Sequence, residues 1–283
     1  MINHRSIISA LLPLIIIACS TKKEVSEADM EPASIVGTWK LDQWIQHGNN
    51  KTEWEPAPPE MIYEKYITDT HFTWINYDPE QDQLTGIGGG TYTFDGDTYI
   101  ENIEFFHPPS SSLAGQQIAF TAEFKDGKWY HTGYGKNMEF DPETAETVVV
   151  DSTKIEETWI KFEGEVVDTS LQGTWELLTQ RSDPDGPEIS YPDFVKYLKH
   201  ITPTHFVWIQ YNSDGDEISG AGSGTYQFDG KRYVENVQMA HPTGSNITDA
   251  QITFDCVLEG NRWIHYSTTE SIYVDEKWIR VDK

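Results

Sequence analysis

Apolar and polar residues alternate along most of the chain, in short runs that turn residues separate. In the run 251–258, for example, every second side chain from Ile252 to Leu258 is apolar. A period of two puts the apolar and the polar side chains on opposite faces of a strand. Turn-forming pairs such as Asp229-Gly230 lie between the runs and predict tight connections. The pattern therefore predicts an all-β protein made of consecutive antiparallel strands.

The same series of runs occurs twice in the chain. The matching segments include 65–77 with 199–211, 90–96 with 224–230, and 157–161 with 276–280. Because each copy contains a full set of strands, we predict two tandem domains of one fold rather than two halves of a single domain. The predicted domains span residues 35–162 and 171–283, and the first carries an insertion near residues 136–154.

The second copy shows most clearly how many strands a domain contains. Its eight predicted strands span residues 173–179, 195–201, 204–211, 221–228, 231–239, 249–258, 261–267 and 275–281. Eight antiparallel strands with short connections fit a small up-and-down β-barrel, whose interior holds side chains or one small ligand. A β-sandwich is the alternative, but its crossing connections usually need longer loops. The glycines at 86–90 in the first copy predict a bulge or a barrel corner.

The first residues resemble a bacterial lipoprotein signal peptide. A basic start precedes an apolar stretch at 7–18 that is too short to cross a membrane as a mature helix. The sequence Ile-Ile-Ala-Cys at 16–19 resembles a lipobox, in which the cysteine carries the lipid. We therefore expect a signal peptide at 1–18, lipidation of Cys19 and a flexible polar tether at 19–34. Ser20, in place of the aspartate that retains lipoproteins in the inner membrane, favours the outer membrane of the cell envelope.

Charge and composition narrow the classes of partner. The formal net charge is −26, and aromatic residues make up 13% of the chain. This charge repels phosphate backbones and argues against nucleic-acid binding, while the aromatic content is typical of a packed core.

Cys256 lies on the apolar phase of its strand and is expected to be a small core residue. The sequence contains no recognisable cofactor loop or metal-ligand spacing, so we predict no cofactor and no metal site.

The first and last strands of each copy resemble those of lipocalins and their calycin relatives. Each copy begins with Gly-Thr-Trp, at 37–39 and 173–175, and ends with Trp-Ile and a basic residue, Lys161 or Arg280. With the motifs between them, both copies are similar to bacterial lipocalin-like domains of uncharacterised function, which often occur in lipoproteins. The resemblance implies that the basic residue packs over the first-strand Trp and closes the barrel, a contact that cation–π attraction favours. It implies the fold and not the ligand.

Polar and aromatic residues that face the barrel interior are the candidate ligand-binding groups. Tyr99, Glu101 and Ile103 share one strand face. Glu101 is therefore expected inside the barrel, as is its counterpart Glu235, and a buried carboxylate must be paired or protonated. Such a group either contacts a ligand or bonds to a neighbouring Tyr or Trp. The candidate ligand-binding residues are His71, Trp74, Tyr92, Tyr99, Glu101, His205, Trp208, Tyr226, Tyr233 and Glu235.

These features favour a non-enzymatic envelope protein, held to the membrane by its lipid, with barrels that bind a small, partly apolar ligand. Two alternatives remain open. In the first, the barrels are solid and their exteriors bind another protein. In the second, Glu101 and His71 are the acid and base of a small-molecule enzyme, although no nucleophile motif accompanies them. We predict no catalytic residue.

Overall fold

The computed structural model describes most of the chain from Ser34 onward. The described residues are 34–47, 51–108, 113–141, 146–164, 168–213, 217–245, 247–267 and 272–282, with the side chains of 139–141 and 146–147 left undescribed. The predicted signal peptide, the lipidation site Cys19 and the predicted tether up to residue 33 lie outside the described residues.

The first half of the described chain folds into a closed antiparallel β-barrel, barrel 1. Its strands are β1 (Gly37–Ile45), β2 (Glu55–Pro56), β3 (Ile62–Ile67), β4 (His71–Asp78), β5 (Gln83–Phe94), β6 (Thr98–His107), β7 (Gln117–Lys125), β8 (Lys128–Asp141) and β9 (Glu146–Lys161). Strands β3 to β9 pair in sequence order, β1 pairs with β3, and β9 closes the barrel by pairing with β1. The two-residue strand β2 adds to β1 alone.

The second half folds into a second closed barrel, barrel 2. Its strands are β10 (Gly173–Arg181), β11 (Val195–Ile201), β12 (His205–Asn212), β13 (Glu217–Phe228), β14 (Arg232–His241), β15 (Gln251–Glu259), β16 (Arg262–Ser267) and β17 (Asp275–Arg280). The prediction of an all-β chain with two tandem up-and-down barrels is confirmed, and the sandwich alternative is wrong. No α-helix occurs among the described residues, so no helix there could cross a membrane.

A glycine-rich segment explains the largest difference between predicted and observed strand bounds. Strand β13 begins at Glu217 rather than at residue 221, because its glycines lie in the sheet and not in a loop. In barrel 1, Gly88 pairs with Trp74, and a Cβ on Gly88 would come within 2.8 Å of the indole. Glycine is therefore what lets the backbone approach the Trp ring. The predicted bulge is present as a register shift between Gly89 and Gly90.

Each barrel is closed by the contact that the lipocalin resemblance implies. The Nζ atom of Lys161 lies 5.3 Å from the ring centre of Trp39, and the guanidinium carbon of Arg280 lies 4.2 Å from that of Trp175. Each first-strand Trp also donates its indole N–H to a backbone carbonyl four residues earlier, at 2.8 Å. The cation–π contacts hold the last strand against the first, while the hydrogen bonds hold the segment before each first strand against its Trp.

The barrels pack against each other through strand faces that point away from their interiors. One buried apolar cluster combines residues of both barrels: Tyr66, Ile75, Tyr77, Leu84, Ile87, Phe105, Leu198, Val207, Ile209, Tyr211, Ile218, Ala221 and Met239. The hydroxyl groups of Thr38 and Thr202 lie 2.6 Å apart, and those of Thr68 and Thr174 lie 2.7 Å apart. Because these two pairs exchange equivalent residues, the interface resembles that of a two-fold symmetric dimer. Residues Ser34–Lys283 form one compact unit.

Candidate functional site

A buried ion pair lies inside each barrel. In barrel 1, Lys65 Nζ donates to Glu101 Oε1 at 2.9 Å, and both residues are only 3% exposed. Lys65 Nζ also lies 5.0 Å from the ring centre of Trp159 and 5.5 Å from that of Tyr99. These rings and the carboxylate together compensate a charge that would otherwise be costly to bury. Glu101 is therefore interior, as predicted, and its partner is a lysine.

A second carboxylate lies beside this pair. His131 Nε2 lies 2.6 Å from Glu157 Oε2, and Trp159 donates its indole N–H to the same oxygen at 3.1 Å. Burial and the charge of Lys65 lower the pKa of His131. Burial alone would raise the pKa of Glu157, but the hydrogen bond and the electrostatic interaction with His131, followed by the charge of Lys65, outweigh it and hold this pKa below its ordinary value. The lowered pKa values favour an ionised Glu157 and an uncharged His131, whose Nε2–H then donates a hydrogen bond to the carboxylate.

The same network recurs in barrel 2. Lys199 pairs with Glu235 at 2.9 Å, and His265 pairs with Glu276, which also accepts the indole N–H of Trp278 at 3.1 Å. This duplication indicates that the network supports the interior of both barrels. Sequence reasoning found Glu101 and Glu235 but missed the lysines and the second carboxylates. The signal available in the sequence was the recurrence of one Lys, Lys65 and Lys199, at the same position of both copies.

A cavity of about 140 Å³ borders the network in barrel 1. Its apolar wall includes Leu41, Trp44, Trp74, Ile103, Phe106, Leu113, Ile118, Phe120, Ile155 and Trp159. Its polar lining includes Lys65, Glu101 and Glu157, which are the three charged members of the network. The cavity thus combines an apolar wall with one cation and two carboxylates, as a pocket for a small amphipathic molecule does.

Two predicted site residues line this cavity, and two others support its wall. Trp74 and Glu101 are lining residues. Tyr99 is fully buried, and its ring centre lies 5.4 Å from that of Tyr92. The Tyr92 hydroxyl donates a hydrogen bond to the carbonyl of Thr68 at 2.6 Å.

The predicted site residues of barrel 2 also lie in its interior. Trp208 and Tyr226 pack against the interior cluster that contains Tyr233, and Glu235 is the partner of Lys199.

The two predicted histidines lie on the other side of the barrel wall. The His71 ring stacks on His200 with ring centres 5.6 Å apart, and the His205 ring contacts Tyr66 at 6.3 Å. Both contacts cross the interface between the barrels, and His71 is not a cavity residue. Strand alternation explains this placement, because Phe72 and Trp74 face the interior while His71 faces outward. His71 and Glu101, weighed above as acid and base, are therefore separated by the barrel wall.

The described residues hold no cluster of three or more His, Cys, Asp or Glu side chains that could bind a metal ion. Cys256 packs against the barrel 2 core, and its sulfur accepts the indole N–H of Trp263 at 3.5 Å. Burial raises the pKa of this thiol to about 11. The placement agrees with the predicted role of a small core residue.

Comparisons with known proteins give only distant structural likenesses. A scan against protein-family models finds no match, and neither does a search of curated proteins. An uncharacterized protein from Saccharomyces cerevisiae is similar over 87% of this chain and 97% of its own, at 8% identity and a TM-score of 0.46. A double mutant of transferrin binding protein B, a vaccine antigen from Haemophilus parasuis, is similar over 86% of this chain and 67% of its own, at 8% identity and a TM-score of 0.24. These likenesses carry no argument about function.

Proposed function

We propose that this chain is a lipid-anchored cell-envelope protein whose first barrel binds a small, partly apolar molecule without catalysis. The observation that carries the proposal is the cavity of about 140 Å³ in barrel 1, with its apolar wall and its three charged lining residues. A cavity of about 150 Å³ lined by apolar side chains is known to take up benzene. The expected ligand therefore has the size of a single ring.

The polar lining limits the chemistry of that ligand. Lys65 donates its hydrogen bond to Glu101 and acts on Glu157 only through its charge, while Glu157 accepts hydrogen bonds from the His131 imidazole and the Trp159 indole. A ligand with a hydrogen-bond donor at one end gains a charge-assisted bond from this carboxylate. An anionic ligand meets an excess of negative charge in a buried site, which costs free energy. We therefore expect a ligand that is not an anion and that carries a hydrogen-bond donor at one end.

A matched pair of substitutions tests binding in barrel 1. Ile118 lines the cavity, and Ile252 is its counterpart in barrel 2. We expect Ile118→Phe to abolish the thermal stabilisation that small neutral aromatic or aliphatic alcohols give the purified chain. Ile252→Phe introduces the same bulk and serves as the control, with ligand stabilisation retained. If no compound of a panel stabilises the unmodified chain, or if both variants respond alike, binding in barrel 1 is ruled out.

The anchor and the envelope location rest on the lipobox-like sequence that ends at Cys19. The polar residues after it provide a tether that separates the barrels from the membrane surface. Membrane fractionation of cells that express the full chain or the Cys19→Ala variant tests this part of the proposal. We expect the full chain in the membrane pellet and the variant in the soluble fraction, and equal distribution of the two would contradict the anchor.

A further inference from the structure

Two equivalent tyrosines take different positions in the two barrels. Tyr197 in β11 packs into barrel 2, with its ring centre 5.4 Å from that of Trp278 and 5.8 Å from that of Trp208. Tyr63 in β3 holds the same position of the repeat, but its ring packs at 5.2 Å against Trp44. The same side chain therefore contacts interior tryptophans in one barrel and a Trp near the end of β1 in the other.

The charged groups near the Tyr63 and Tyr197 hydroxyls differ in the same way as the ring contacts do. Burial, followed by the carboxylate of Glu276 and, more weakly, that of Glu235, raises the pKa of Tyr197 well above its ordinary value. Both are interior carboxylates of barrel 2. Burial and the carboxylates of Glu60 and Asp78 raise the pKa of Tyr63, and Glu60 is exposed. The Tyr197 ring thus lies among the interior tryptophans of barrel 2. Tyr63 instead packs on Trp44, and both residues form part of the wall of the barrel 1 cavity.

The cavity of barrel 1 is bounded by the counterparts of the groups that surround Tyr197. Trp208 and Trp278 correspond to Trp74 and Trp159, and Glu235 and Glu276 correspond to Glu101 and Glu157. All four of these barrel 1 residues line the cavity. In barrel 2 this arrangement surrounds a phenol ring that belongs to the protein itself.

Sequence differences between the copies account for the two tyrosine positions. The aromatic partner of Tyr63, Trp44, is replaced in barrel 2 by Gln180, whose side-chain N–H donates to the hydroxyl of Tyr191 at 2.5 Å. Tyr191 in turn contacts Tyr197 with ring centres 6.3 Å apart. Barrel 1 has Ala57 at the position of Tyr191, so it lacks the ring that packs against the inward-facing tyrosine.

We propose that the cavity of barrel 1 binds a phenol, a single aromatic ring with one hydroxyl group, in the position that Tyr197 occupies in barrel 2. This inference rests on the proposed binding function and adds the ligand class. The ring packs between Trp74 and Trp159, where edge-to-face contacts are favourable. The hydroxyl donates to an interior carboxylate, most directly Glu157. Phe106, where barrel 2 has Ala240, adds one further aromatic wall.

Four probes of similar size separate this inference from the proposed function. The purified full chain is titrated calorimetrically with p-cresol, toluene, n-hexanol and benzoate. We expect p-cresol to bind at least about tenfold more tightly than each of the others, since charge-assisted hydrogen bonds are worth more than about 1.4 kcal/mol, a factor of ten. If toluene or hexanol binds as well as p-cresol, the phenol class is wrong while the binding function stands. If none of the four binds, both fail.

A second pair of variants tests the role of the carboxylate. Glu157→Gln removes the charge in barrel 1, and Glu276→Gln makes the identical change in barrel 2. We expect the first to reduce the preference for p-cresol over toluene at least fivefold and the second to leave it unchanged. Equal effects of the two variants on the preference would overturn the assignment of Glu157. If either Gln variant fails to fold, Ile118→Phe and Ile252→Phe, which leave all charges in place, still test whether p-cresol occupies barrel 1: its binding should be lost in the first variant and retained in the second, and the reverse would overturn the assignment.

Discussion

The ammonium nitrogen of Lys65 lies 2.9 Å from a carboxylate oxygen of Glu101 inside barrel 1. Lys199 and Glu235 form the same contact at 2.9 Å inside barrel 2. All four side chains are at most 4% exposed. A buried charge that loses its partner destabilises a fold by more than the intact pair stabilises it. These contacts should therefore affect stability most when only one member of a pair is removed.

Removing one member of the pair is expected to destabilise the fold strongly. Lys65→Met leaves Glu101 buried without its partner, and we expect a loss of about 3–5 kcal/mol in the free energy of unfolding. Adding Glu101→Leu to the same chain removes the orphaned charge and should restore most of that loss. Urea denaturation measures both changes. The exposed pair Lys51–Glu55 is the control, for which Lys51→Met should cost less than about 1 kcal/mol; a double variant no more stable than the single one would contradict this account.

The interface between the barrels is expected to couple their unfolding. Ile209 is fully buried in the cluster shared by both barrels, whereas Ile201 is 1% exposed within the barrel 2 core. Each Ile→Ala change should cost about 2–5 kcal/mol. Only Ile209→Ala weakens the contact between the barrels, so we expect its calorimetric transition to broaden or split. Identical transition shapes in both variants would show that the interface does not couple the barrels.

Histidines at the interface are expected to make the stability of the fold sensitive to mild acid. Burial lowers the pKa of His71, against the opposing charge of Glu176, and that of His205, in each case from 6.5 to about 4. Between pH 6.5 and about pH 4 the unfolded chain binds protons that the folded chain does not. The free energy of unfolding therefore falls as the pH falls below 6.5. The expected loss is about 2 kcal/mol per histidine at pH 5 relative to pH 8.

Urea denaturation at pH 8 and pH 5 measures this dependence. The His71→Gln and His205→Gln variants should each lose less stability than the unmodified chain over the same interval, since each lacks one titrating group. At pH 5 the Glu157 and Glu276 carboxylates, whose pKa values are lowered, contribute little to the difference. His131, His200 and His265, whose pKa values burial also lowers, add to the loss in the unmodified chain and in both variants alike. A stability that is constant between pH 8 and pH 5 would refute the prediction.

The buried thiol of Cys256 should report on unfolding of barrel 2. With its pKa raised to about 11 by burial, the thiolate fraction at pH 8 is roughly a hundredfold below that of a free cysteine. In a Cys19→Ala chain, where Cys256 is the remaining cysteine, alkylation by iodoacetamide should be correspondingly slow. The rate in urea, where the chain is unfolded, is the internal reference. Fast alkylation without urea would show an accessible thiol.

The barrels were predictable from sequence because the information is local. Strict alternation in strands such as β15, turn pairs such as Asp229-Gly230 and the repeat itself all indicate short antiparallel strands. The same alternation put Glu101 correctly inside. It could not place His71, because β4 is buried on both faces, one in barrel 1 and one against barrel 2. An interface between the copies leaves no periodic signal that distinguishes it from an interior.

The lysines and the cavity depend on tertiary structure in a similar way. Lys65 lies in a strand where polar and apolar residues do not alternate, so its inward direction is evident only from the pairing of β3 with β1 and β4. The different positions of Tyr63 and Tyr197 are not evident from β3 and β11 alone, since each strand carries a Tyr two residues before its buried Lys. We attribute the difference to two residues outside β3: Trp44, which contacts Tyr63, and Ala57, which stands where barrel 2 has Tyr191.

The measurement that tests the central claim most directly is fluorine NMR of the full chain labelled with 5-fluorotryptophan and titrated with p-cresol. Single Trp→Phe substitutions assign the resonances of Trp74, Trp159, Trp208 and Trp278. We predict saturable shifts at Trp74 and Trp159, which line the barrel 1 cavity, and none at Trp208 and Trp278, which pack against Tyr197. Shifts confined to barrel 2, or no saturable shift at either pair, would contradict a ligand-binding role for barrel 1.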